Sequence, residues 1–586
     1  MLQTDRQTDR QTDRQTGYPS LDKPWMKYYS LQEKEMSIPV GSMFDYLYEK
    51  NKEYPNDIAI EYYGRKYTYR ELFQNIDQCC RNLVDLGVQK GDVVTIQAVS
   101  LPQVVVLIYA LTRIGACGNM LYPDAKAADV VSSMERTSSG LLVVVDKILA
   151  TYEMDLPDSF RHPIILLNIA DQMAFIPRIF ARKAGAYNQK NQALHTIPWK
   201  TFINREGVAY QENHDGTIPA FMLRTGGTTG IPKETVLTNQ NFNAITEAAY
   251  RANICDMWIR QITDVLLLPP FIAFGIGSGI HDALCFGLRT VITLDASPAA
   301  VSKLFLKHKP GYIIAGTVQI EQLMADLRTK NTDLSYIKML SVGGESMNLT
   351  FEENLRSFLK SHNCGVLPLK GYGLTETSAT VTMETLDANH IGSVGIPFAF
   401  CNMKIIDPDT GEELPYDTSG EICLSTPGLM QGYYGNPQAT DDAIETVNGE
   451  RWLHTGDIGI ISKDGLLTIT GRIKRIIICK EGMVYHKVFP LLLEDQLAKI
   501  SGVQEICIVG RLDETVGNVL IAYIVPDMPI HFEQIKKQIA AYCLSKLKSY
   551  ETPVEYRYIK ELPRTLIGKV DYRKLERMAA DEHGND

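Results

Sequence analysis

Three kinds of site or segment are missing from this sequence of 586 residues. Its 11 cysteines are scattered and include no Cys-x-x-Cys pair, so neither a cage of paired zinc ligands nor a redox dithiol is supported. No run of about 18 residues is apolar without charged residues, Pro or Gly, so no membrane-spanning helix is expected. The N-terminus has no apolar stretch that could form a signal peptide. Together these absences predict a protein of the reducing cytoplasm.

An excess of basic residues is also missing. Lys and Arg number 59 against 69 Asp and Glu, which gives a net charge of −10 and argues against a nucleic-acid partner. With 45% hydrophobic and 22% charged residues, the chain can bury a large core, so disorder, collagen and coiled coil are excluded for the whole chain. At roughly 150 residues per domain, the length suggests about four structural units.

The first residues have low complexity. Residues 3–16 repeat the tetrapeptide QTDR, which is polar and cannot bury a core. We therefore expect residues 1–36 to be a disordered leader and the folded region to begin near Ser42. A helix is predicted from Thr68, because Thr68 and Glu71 form a capping box and apolar residues then recur at helical spacing until Gly87.

Short apolar runs alternate with helical patterns through the middle of the chain. Such runs predict parallel sheets covered by helices on both faces. The predicted strands are residues 93–99, 141–145, 164–169, 221–223, 265–268, 291–294, 312–315, 337–342 and 366–369. From about Val394 short strands and turns indicate a β-rich segment, and after Gly471 a new pattern begins. The predicted fold is an α/β body of parallel sheets with a small β-rich subdomain (residues 37–471), followed by a small mobile α+β cap domain (residues 472–586).

The most distinctive motif is a loop that follows a predicted strand. Residues 225–233 read TGGTTGIPK, with three glycines and three hydroxyls ahead of a lysine. Glycines let backbone amides approach a polyphosphate, hydroxyls donate to its oxygens, and lysine offsets its charge. The loop is not a Walker loop, because it lacks the GxxxxGK[ST] register. Its predicted phosphate-binding residues are Thr225, Gly226, Gly227, Thr228, Thr229, Gly230 and Lys233.

Further motifs follow this loop in a fixed order. They are GGE at 343–345, GYGLTE at 371–376, GSVG at 392–395, GE at 420–421, GYY at 432–434, WLHTGD at 452–457, GRIK at 471–474 and PRTLIGK at 563–569. In this order the sequence resembles the adenylate-forming superfamily, which includes acyl-CoA synthetases, luciferases and adenylation domains of nonribosomal peptide synthetases. The resemblance covers nearly the whole folded chain and implies ATP, Mg²⁺ and coenzyme A as cofactors.

The resemblance also implies roles for single residues. Tyr372 would stack on adenine, Asp457 would accept from the ribose hydroxyls, Thr375 would donate to the α-phosphate, and Glu376 would hold Mg²⁺. Arg472 would assist at the ribose or the phosphates. The nucleotide site would further include Gly344, Glu345 and Gly373.

Lys569 is implied to be the catalytic lysine. It would meet the developing charge at the α-phosphate during adenylation. The cap would then rotate about a hinge at Lys474 for the second half-reaction.

The identity of the acid is predicted from residues 268–275. Amino-acid-activating relatives have an aspartate where this chain has Ile272, and isoleucine cannot pair with a buried ammonium. A wall of Phe271, Ile272 and Phe274 favours a fatty or aromatic acid, although the same side chains could simply be core.

Three functions remain open from the sequence. The first is an acid:CoA ligase that acts through an acyl-adenylate. The second is a free-standing adenylation protein that loads a separate carrier protein, because no carrier domain follows Lys569. The third is a degenerate ATP-binding protein, suggested by departures from the family pattern. Among these departures are Glu234 for the usual glycine, Arg475 for an acidic residue, and a single glutamate, Glu494, where two are usual.

Overall fold

The structure is a computed structural model, and it describes the chain in segments. The described residues are 16–30, 34–35, 37–183, 189–225, 233–252, 260–295, 297–327, 331–344, 347, 349–481, 484–513, 517–565 and 568–581. The QTDR repeats therefore lie outside the described residues, except for Thr16. Among the described residues no helix is both long and apolar enough to cross a bilayer.

Two large α/β sheets form the body. The first has nine strands, with parallel pairing at its centre and antiparallel strands at both edges. From edge to edge its strands are Ile396–Pro397, Ala379–Met383, Leu369–Leu374, Met339–Val342, Tyr312–Ala315, Thr263–Leu266, Arg289–Ile292, Ile58–Tyr62 and Arg65–Thr68.

The second sheet has eight strands and carries the glycine-rich loop. Its order is Gly432–Tyr433, Glu234–Thr238, Pro219–Arg224, Cys117–Leu121, Val93–Gln97, Leu141–Val145, Ile164–Leu167 and Thr196–Pro198. The six strands from Pro219–Arg224 to Thr196–Pro198 pair parallel, whereas the first two strands pair antiparallel with their neighbours.

Two smaller sheets of five strands follow. The third is antiparallel and contains Asn402–Ile406, Gly420–Ser425, Glu450–Ile461, Ile444–Val447 and Leu467–Arg472. The fourth lies in the cap and contains Val484–Val488, Ile477–Glu481, Gly517–Pro526, Val503–Asp513 and Glu555–Tyr558. The α/β body, the β-rich subdomain and the α+β cap that the sequence predicted are therefore all present.

Helices cover the sheets. The α-helices are Pro19–Asp22, Met43–Asn51, Tyr69–Asp85, Pro102–Ile114, Ala127–Arg136, Asp146–Leu149, Phe175–Lys183, Trp199–Ile203, Asn239–Arg251, Ala283–Cys285, Pro298–His308, Thr317–Leu327, Leu349–Ser361, Pro437–Ala443, Pro490–Leu497, Phe532–Lys546 and Tyr572–Asp581. A π-helix spans Gly275–Asp282. Short 3₁₀ turns are Pro24–Tyr28, Glu153–Asp155, Thr375–Thr377, Ile473–Arg475, Pro529–His531 and Ser549–Glu551.

The helix predicted from Thr68 forms as expected. Thr68 caps it by accepting from the amide of Glu71, while the Glu71 carboxylate accepts from the Thr68 amide at 2.8 Å. This capping box stabilises the first turn because it satisfies amides that have no partner within the helix. The apolar stripe of the helix is buried, including Leu72, Ile76 and Leu83.

The expectation of a disordered leader through residue 36 is wrong for residues 17–30. Trp25 is fully buried in the main core cluster of the body. Nearby, the Tyr29 hydroxyl donates to the carbonyl of Pro397 at 2.8 Å, and the Ser20 hydroxyl donates to Glu413 at 2.9 Å. The physical reason is composition, because aromatic residues begin at Tyr18, directly after the polar repeats. Folding therefore begins well before Ser42.

Candidate active site

A cavity of about 710 Å³ opens between the body, the β-rich subdomain and the cap. Most of the predicted site residues that the structure describes line it. They are Thr225, Lys233, Gly344, Tyr372, Gly373, Thr375, Glu376, Arg472, Lys474 and Lys569. The other predicted residues of the loop and of the GGE motif, Gly226, Gly227, Thr228, Thr229, Gly230 and Glu345, lie outside the described residues.

The glycine at 373 is required by a close backbone approach. A Cβ atom at this position would lie 1.6 Å from the carbonyl oxygen of Ala379. Any larger residue would push apart the strands Leu369–Leu374 and Ala379–Met383, which pair antiparallel here. Gly373 therefore keeps Tyr372 and Thr375 at the cavity wall.

Tyr372, Asp457 and Arg472 form one hydrogen-bonded group. The Tyr372 hydroxyl donates to Asp457 Oδ2 at 2.7 Å, and Arg472 Nε donates to Asp457 Oδ1. Asp457 and Arg472 lie directly opposite each other on the paired strands Glu450–Ile461 and Leu467–Arg472. Burial, and then the Asp457 carboxylate, raises the pKa of the Tyr372 hydroxyl, so it is a donor at neutral pH. Tyr372 and Arg472 line the cavity, whereas Asp457 is buried behind them and is not among the lining residues.

Thr375 and Glu376 begin a 3₁₀ turn directly after the strand that carries Tyr372. Glu376 Oε1 accepts from the Tyr433 hydroxyl at 2.8 Å, and its backbone carbonyl accepts from the amide of Met430. Within the described part of the chain, no hydrogen bond is made to Oε2. A held carboxylate with one uncommitted oxygen suits Mg²⁺, which prefers hard oxygen ligands.

Several cations gather at the same cavity. Burial, followed by the charges of Lys233, Arg472 and Arg573, lowers the pKa of Lys474. Lys233 Nζ lies 4.4 Å from the centroid of the Tyr433 ring, which stabilises its charge. Mutually repelling cations around one cavity favour binding of a polyanion, because the anion relieves the repulsion.

The cap contributes Gly568 and Lys569 to the cavity lining. They belong to a short turn in which the Thr565 amide donates to the Lys569 carbonyl at 2.7 Å. Arg564 Nη1 braces the turn by donating to the Gly568 carbonyl at 3.0 Å. The predicted terminal lysine therefore lies at the cavity that also contains Thr375 and Glu376.

The charge of Glu234 is offset by two arginines. Its buried carboxylate accepts from Arg136 and lies 3.8 Å from Arg224 Nη2. Arg224 and Glu234 face each other across paired strands at the two ends of the glycine-rich loop. Between them the Thr225 amide donates to the Lys233 carbonyl at 3.0 Å. This departure from the family pattern therefore closes the base of the loop.

Arg475, the second charged residue that departs from the family pattern, also has an ion-pair partner. Arg475 Nη2 donates to Glu494 Oε1 at 2.7 Å, and the amide of Ile508 donates to the same oxygen at 2.8 Å. The glutamate that the cap retains is therefore engaged by the arginine that replaces an acidic residue. Both lie within the cap and away from the cavity lining.

One wall of the cavity is apolar. Ile272 and Phe274 line it together with Leu268 and Ala273. Phe271 is not among the lining residues; it is buried core, and its ring packs edge-on against Tyr122, with 5.4 Å between centroids. The expectation of an apolar wall therefore holds for Ile272 and Phe274, while Phe271 supports the wall from behind.

The sequence interpretation missed several lining residues. Tyr122, Val318, Gln319, Thr380 and Tyr433 all face the cavity. Val318 and Gln319 lie just beyond the carboxyl end of the strand Tyr312–Ala315. A signal was available for these two, because α/β folds bind ligands at the carboxyl ends of parallel strands.

Family models match most of the chain. Residues 47–434 match the model described as AMP-binding enzyme, and residues 492–569 match the one described as AMP-binding enzyme C-terminal domain. The chain belongs to the AMP-binding enzyme family. Its similarity to curated ligases puts it in the acyl-CoA synthetase branch of this adenylate-forming superfamily.

Relatives match this AMP-binding enzyme over nearly their whole length. A long-chain-fatty-acid–CoA ligase of Bacillus subtilis (strain 168) is 26% identical over 582 residues, which cover 96% of this chain and 99% of the relative. ATP-bound MatB from Rhodopseudomonas palustris has a TM-score of 0.75 at 21% identity, covering 93% of this chain and 100% of that one. The anthranilate CoA ligase AuaEII, in complex with anthranoyl-AMP, has a TM-score of 0.76 at 19% identity, with 94% and 100% covered.

Proposed function

We propose that this enzyme joins a fatty or aromatic carboxylic acid to coenzyme A at the expense of ATP, through an acyl-adenylate. The observation that supports this most is the convergence of three features on one cavity. These are the hydrogen-bonded Tyr372–Asp457–Arg472 group, the cation cluster with Lys569, and the apolar wall of Ile272 and Phe274. ATP-bound and acyl-adenylate-bound relatives of the same fold are consistent with it.

In the first half-reaction the acid carboxylate attacks the α-phosphorus of ATP. An acyl–oxygen–phosphorus bond forms, the bond to the β-phosphate breaks, and pyrophosphate leaves. Tyr372 would stack on adenine and Asp457 would accept from the ribose, while Thr375 and Lys569 donate to the α-phosphate oxygens as charge develops. Lys233, Arg472 and Lys474 would offset the charge of the departing pyrophosphate. Bound to Glu376, Mg²⁺ would supply charge neutralisation at the phosphates.

In the second half-reaction the coenzyme A thiol attacks the acyl carbonyl of the adenylate. A thioester forms, AMP leaves, and the thiol proton is released. We infer that the cap, residues 472–586, rotates about Lys474 relative to the body, residues 37–471, so that Lys569 leaves the cavity for this step. The presence of Gly568 and Lys569 in the cavity lining supports a role for the cap in the first half-reaction.

The variant Lys569→Ala tests whether Lys569 acts in the first half-reaction but not in the second. We expect the variant to lose carboxylate-dependent pyrophosphate exchange by at least about 100-fold, as expected for loss of an electrostatic contact to the transition state. It should still convert supplied acyl-adenylate to acyl-CoA at a near wild-type rate. The matched control is Lys574→Ala, an exposed lysine on the helix Tyr572–Asp581, which should preserve both half-reactions. Equal loss of both half-reactions would contradict the proposal.

The acceptor and the acid need a separate experiment. A panel of acids of graded chain length and aromatic type is assayed with ATP and Mg²⁺, with and without coenzyme A. AMP release that depends on coenzyme A supports the ligase. If an acid supports pyrophosphate exchange but addition of coenzyme A yields no acyl-CoA and no AMP, loading of a separate carrier protein is favoured instead. No exchange with any acid would exclude both activities.

A further inference from the structure

A compact group of three side chains lies between the strands Gly420–Ser425 and Glu450–Ile461. It consists of Glu421, Cys423 and His454, whose potential ligand atoms all lie within 4.8 Å of one another. Cys423 and His454 are directly opposite in the antiparallel register. Cys423 and Glu421 are buried and His454 is partly exposed, so solvent reaches the group on one side.

The distances match those of a tetrahedral zinc site. Zinc binds sulfur at about 2.3 Å and nitrogen or oxygen at about 2.1 Å. Tetrahedral geometry then places a sulfur about 3.6 Å from a nitrogen, and a nitrogen about 3.4 Å from an oxygen. Here Cys423 Sγ lies 3.7 Å from His454 Nδ1, and His454 Nδ1 lies 3.3 Å from Glu421 Oε2.

Neighbouring groups hold two of the three side chains in ligating orientations. The amide of Gly456 donates to Glu421 Oε1 at 3.0 Å, which leaves Oε2 for a metal. The second ring nitrogen of the histidine, Nε2, lies 3.8 Å from a carboxylate oxygen of Glu445. Carboxylates that face the outer nitrogen of a metal-bound histidine fix its tautomer and raise its basicity.

The geometry points to a binding site for one zinc-like divalent cation, held by Glu421, Cys423 and His454 with the fourth position open to water. The ligand set of thiolate, imidazole and carboxylate suits Zn²⁺ and differs from the hard oxygens that suit Mg²⁺. Bound metal would join the two strands at the register shift between Glu421 and Cys423, three residues before Asp457 on the facing strand. This inference does not depend on the ligase activity.

Binding must release a proton. The metal binds the Cys423 sulfur as a thiolate, so the thiol proton is released as the metal–sulfur bond forms. Protons also compete with the metal for the ring nitrogen of His454. The other charged groups that face the site are Glu413, Glu445 and Lys404, and Lys404 Nζ stacks over the Trp452 ring at 4.6 Å. The apparent affinity should therefore rise with pH.

Co²⁺ is the spectroscopic probe for this site. The full-length protein, freed of metal and kept in excess Mg²⁺, is titrated with Co²⁺ at several pH values. We expect one equivalent to bind with a thiolate-to-cobalt charge-transfer band and the visible bands of a tetrahedral complex. Zn²⁺ should displace the cobalt and raise the Tm of the protein.

Cys423→Ser should abolish the charge-transfer band and weaken Co²⁺ binding at least tenfold. The matched control is Cys401→Ser, a buried thiol that bonds to Thr426 at 3.2 Å, which should retain the band. If Cys423→Ser does not fold, His454→Asn is the second variant, and it should weaken Co²⁺ binding at least tenfold, with circular dichroism as the check on folding. Absence of the band in the wild-type protein, its persistence in folded Cys423→Ser, or wild-type Co²⁺ affinity in folded His454→Asn would overturn the inference.

Discussion

The substitution Asp457→Asn tests the nucleotide site most directly. The carboxylate is buried, accepts from Tyr372 and Arg472, and is proposed to accept from the ribose. The asparagine side chain has the same size but replaces one carboxylate oxygen, an acceptor, by an NH₂ group, a donor. That donor would face the hydroxyl of Tyr372 or the guanidinium of Arg472, which are donors themselves. About one charge-assisted hydrogen bond to the nucleotide is therefore lost, worth about 1.5–3 kcal/mol. That corresponds to a decrease of about 10- to 150-fold in kcat/KM for ATP.

The assay is pyrophosphate exchange at saturating acid, with ATP varied. Tyr372→Phe is the matched comparison, because it removes the hydroxyl that holds Asp457 but keeps the ring and the negative charge. It loses one hydrogen bond to the carboxylate, worth about 1 kcal/mol, so kcat/KM for ATP should fall only about fivefold. Thermal unfolding of both variants checks that the strand pair of Asp457 and Arg472 remains folded.

Two results would refute this reasoning. If folded Asp457→Asn stays within threefold of the wild type, the carboxylate does not contact the nucleotide. If Tyr372→Phe loses as much as Asp457→Asn, the loss comes from the hydroxyl or from the arrangement of the strands rather than from the charge at Asp457.

Three further predictions concern the apolar wall, the N-terminal segment and a buried acid. Ile272→Asp should lower kcat/KM for apolar acids at least about 100-fold, because a carboxylate in the wall costs several kcal/mol, whereas Ile272→Val should retain most activity in the same acid panel. Trp25→Ala should destabilise the fold by about 3–5 kcal/mol and lower the Tm, whereas Leu21→Ala, at 66% exposure, should not. Burial raises the pKa of Asp264 to about 8, so the folded state retains a proton that the unfolded state releases near pH 4. Stability should therefore fall by about 1.4 kcal/mol per unit as pH rises through this window, and Asp264→Asn should flatten the decrease in Tm between pH 5.5 and 8; parallel curves would contradict it.

Strands with continuous apolar runs were predictable from the sequence. Residues 141–145 and 312–315 form strands with the predicted bounds. The strand Cys117–Leu121 was missed, because its sequence CGNML includes a glycine and an asparagine that are common in turns. Its burial comes from neighbours on both sides, Val93–Gln97 and Pro219–Arg224, which the local sequence does not show. The strand expected at residues 366–369 begins only at Leu369 and runs through the GYG motif to Leu374.

The site was predictable to the extent that its residues lie in short motifs. Tyr372, Glu376 and Asp457 were identified that way, but the bond between Tyr372 and Asp457 joins residues 85 positions apart. Tyr433, which holds Glu376, comes from an edge strand of a different sheet. Such contacts depend on how whole sheets pack, so no local pattern predicts them.

The two charge departures show why this matters for function. Taken singly, Glu234 beside a phosphate loop and Arg475 after the hinge suggest a weakened enzyme. These two substitutions were the main support for the hypothesis of a degenerate ATP-binding protein. Glu234 is paired with Arg136 and Arg224, and Arg475 is paired with Glu494. A charge that is neutralised by a held partner within about 4 Å adds little field at a distance, so neither departure removes positive potential from the cavity. The cations and the Glu376 carboxylate remain at the cavity. The two substitutions are therefore consistent with an enzyme in which each new charge is neutralised by a neighbouring side chain and the charges of the site are retained.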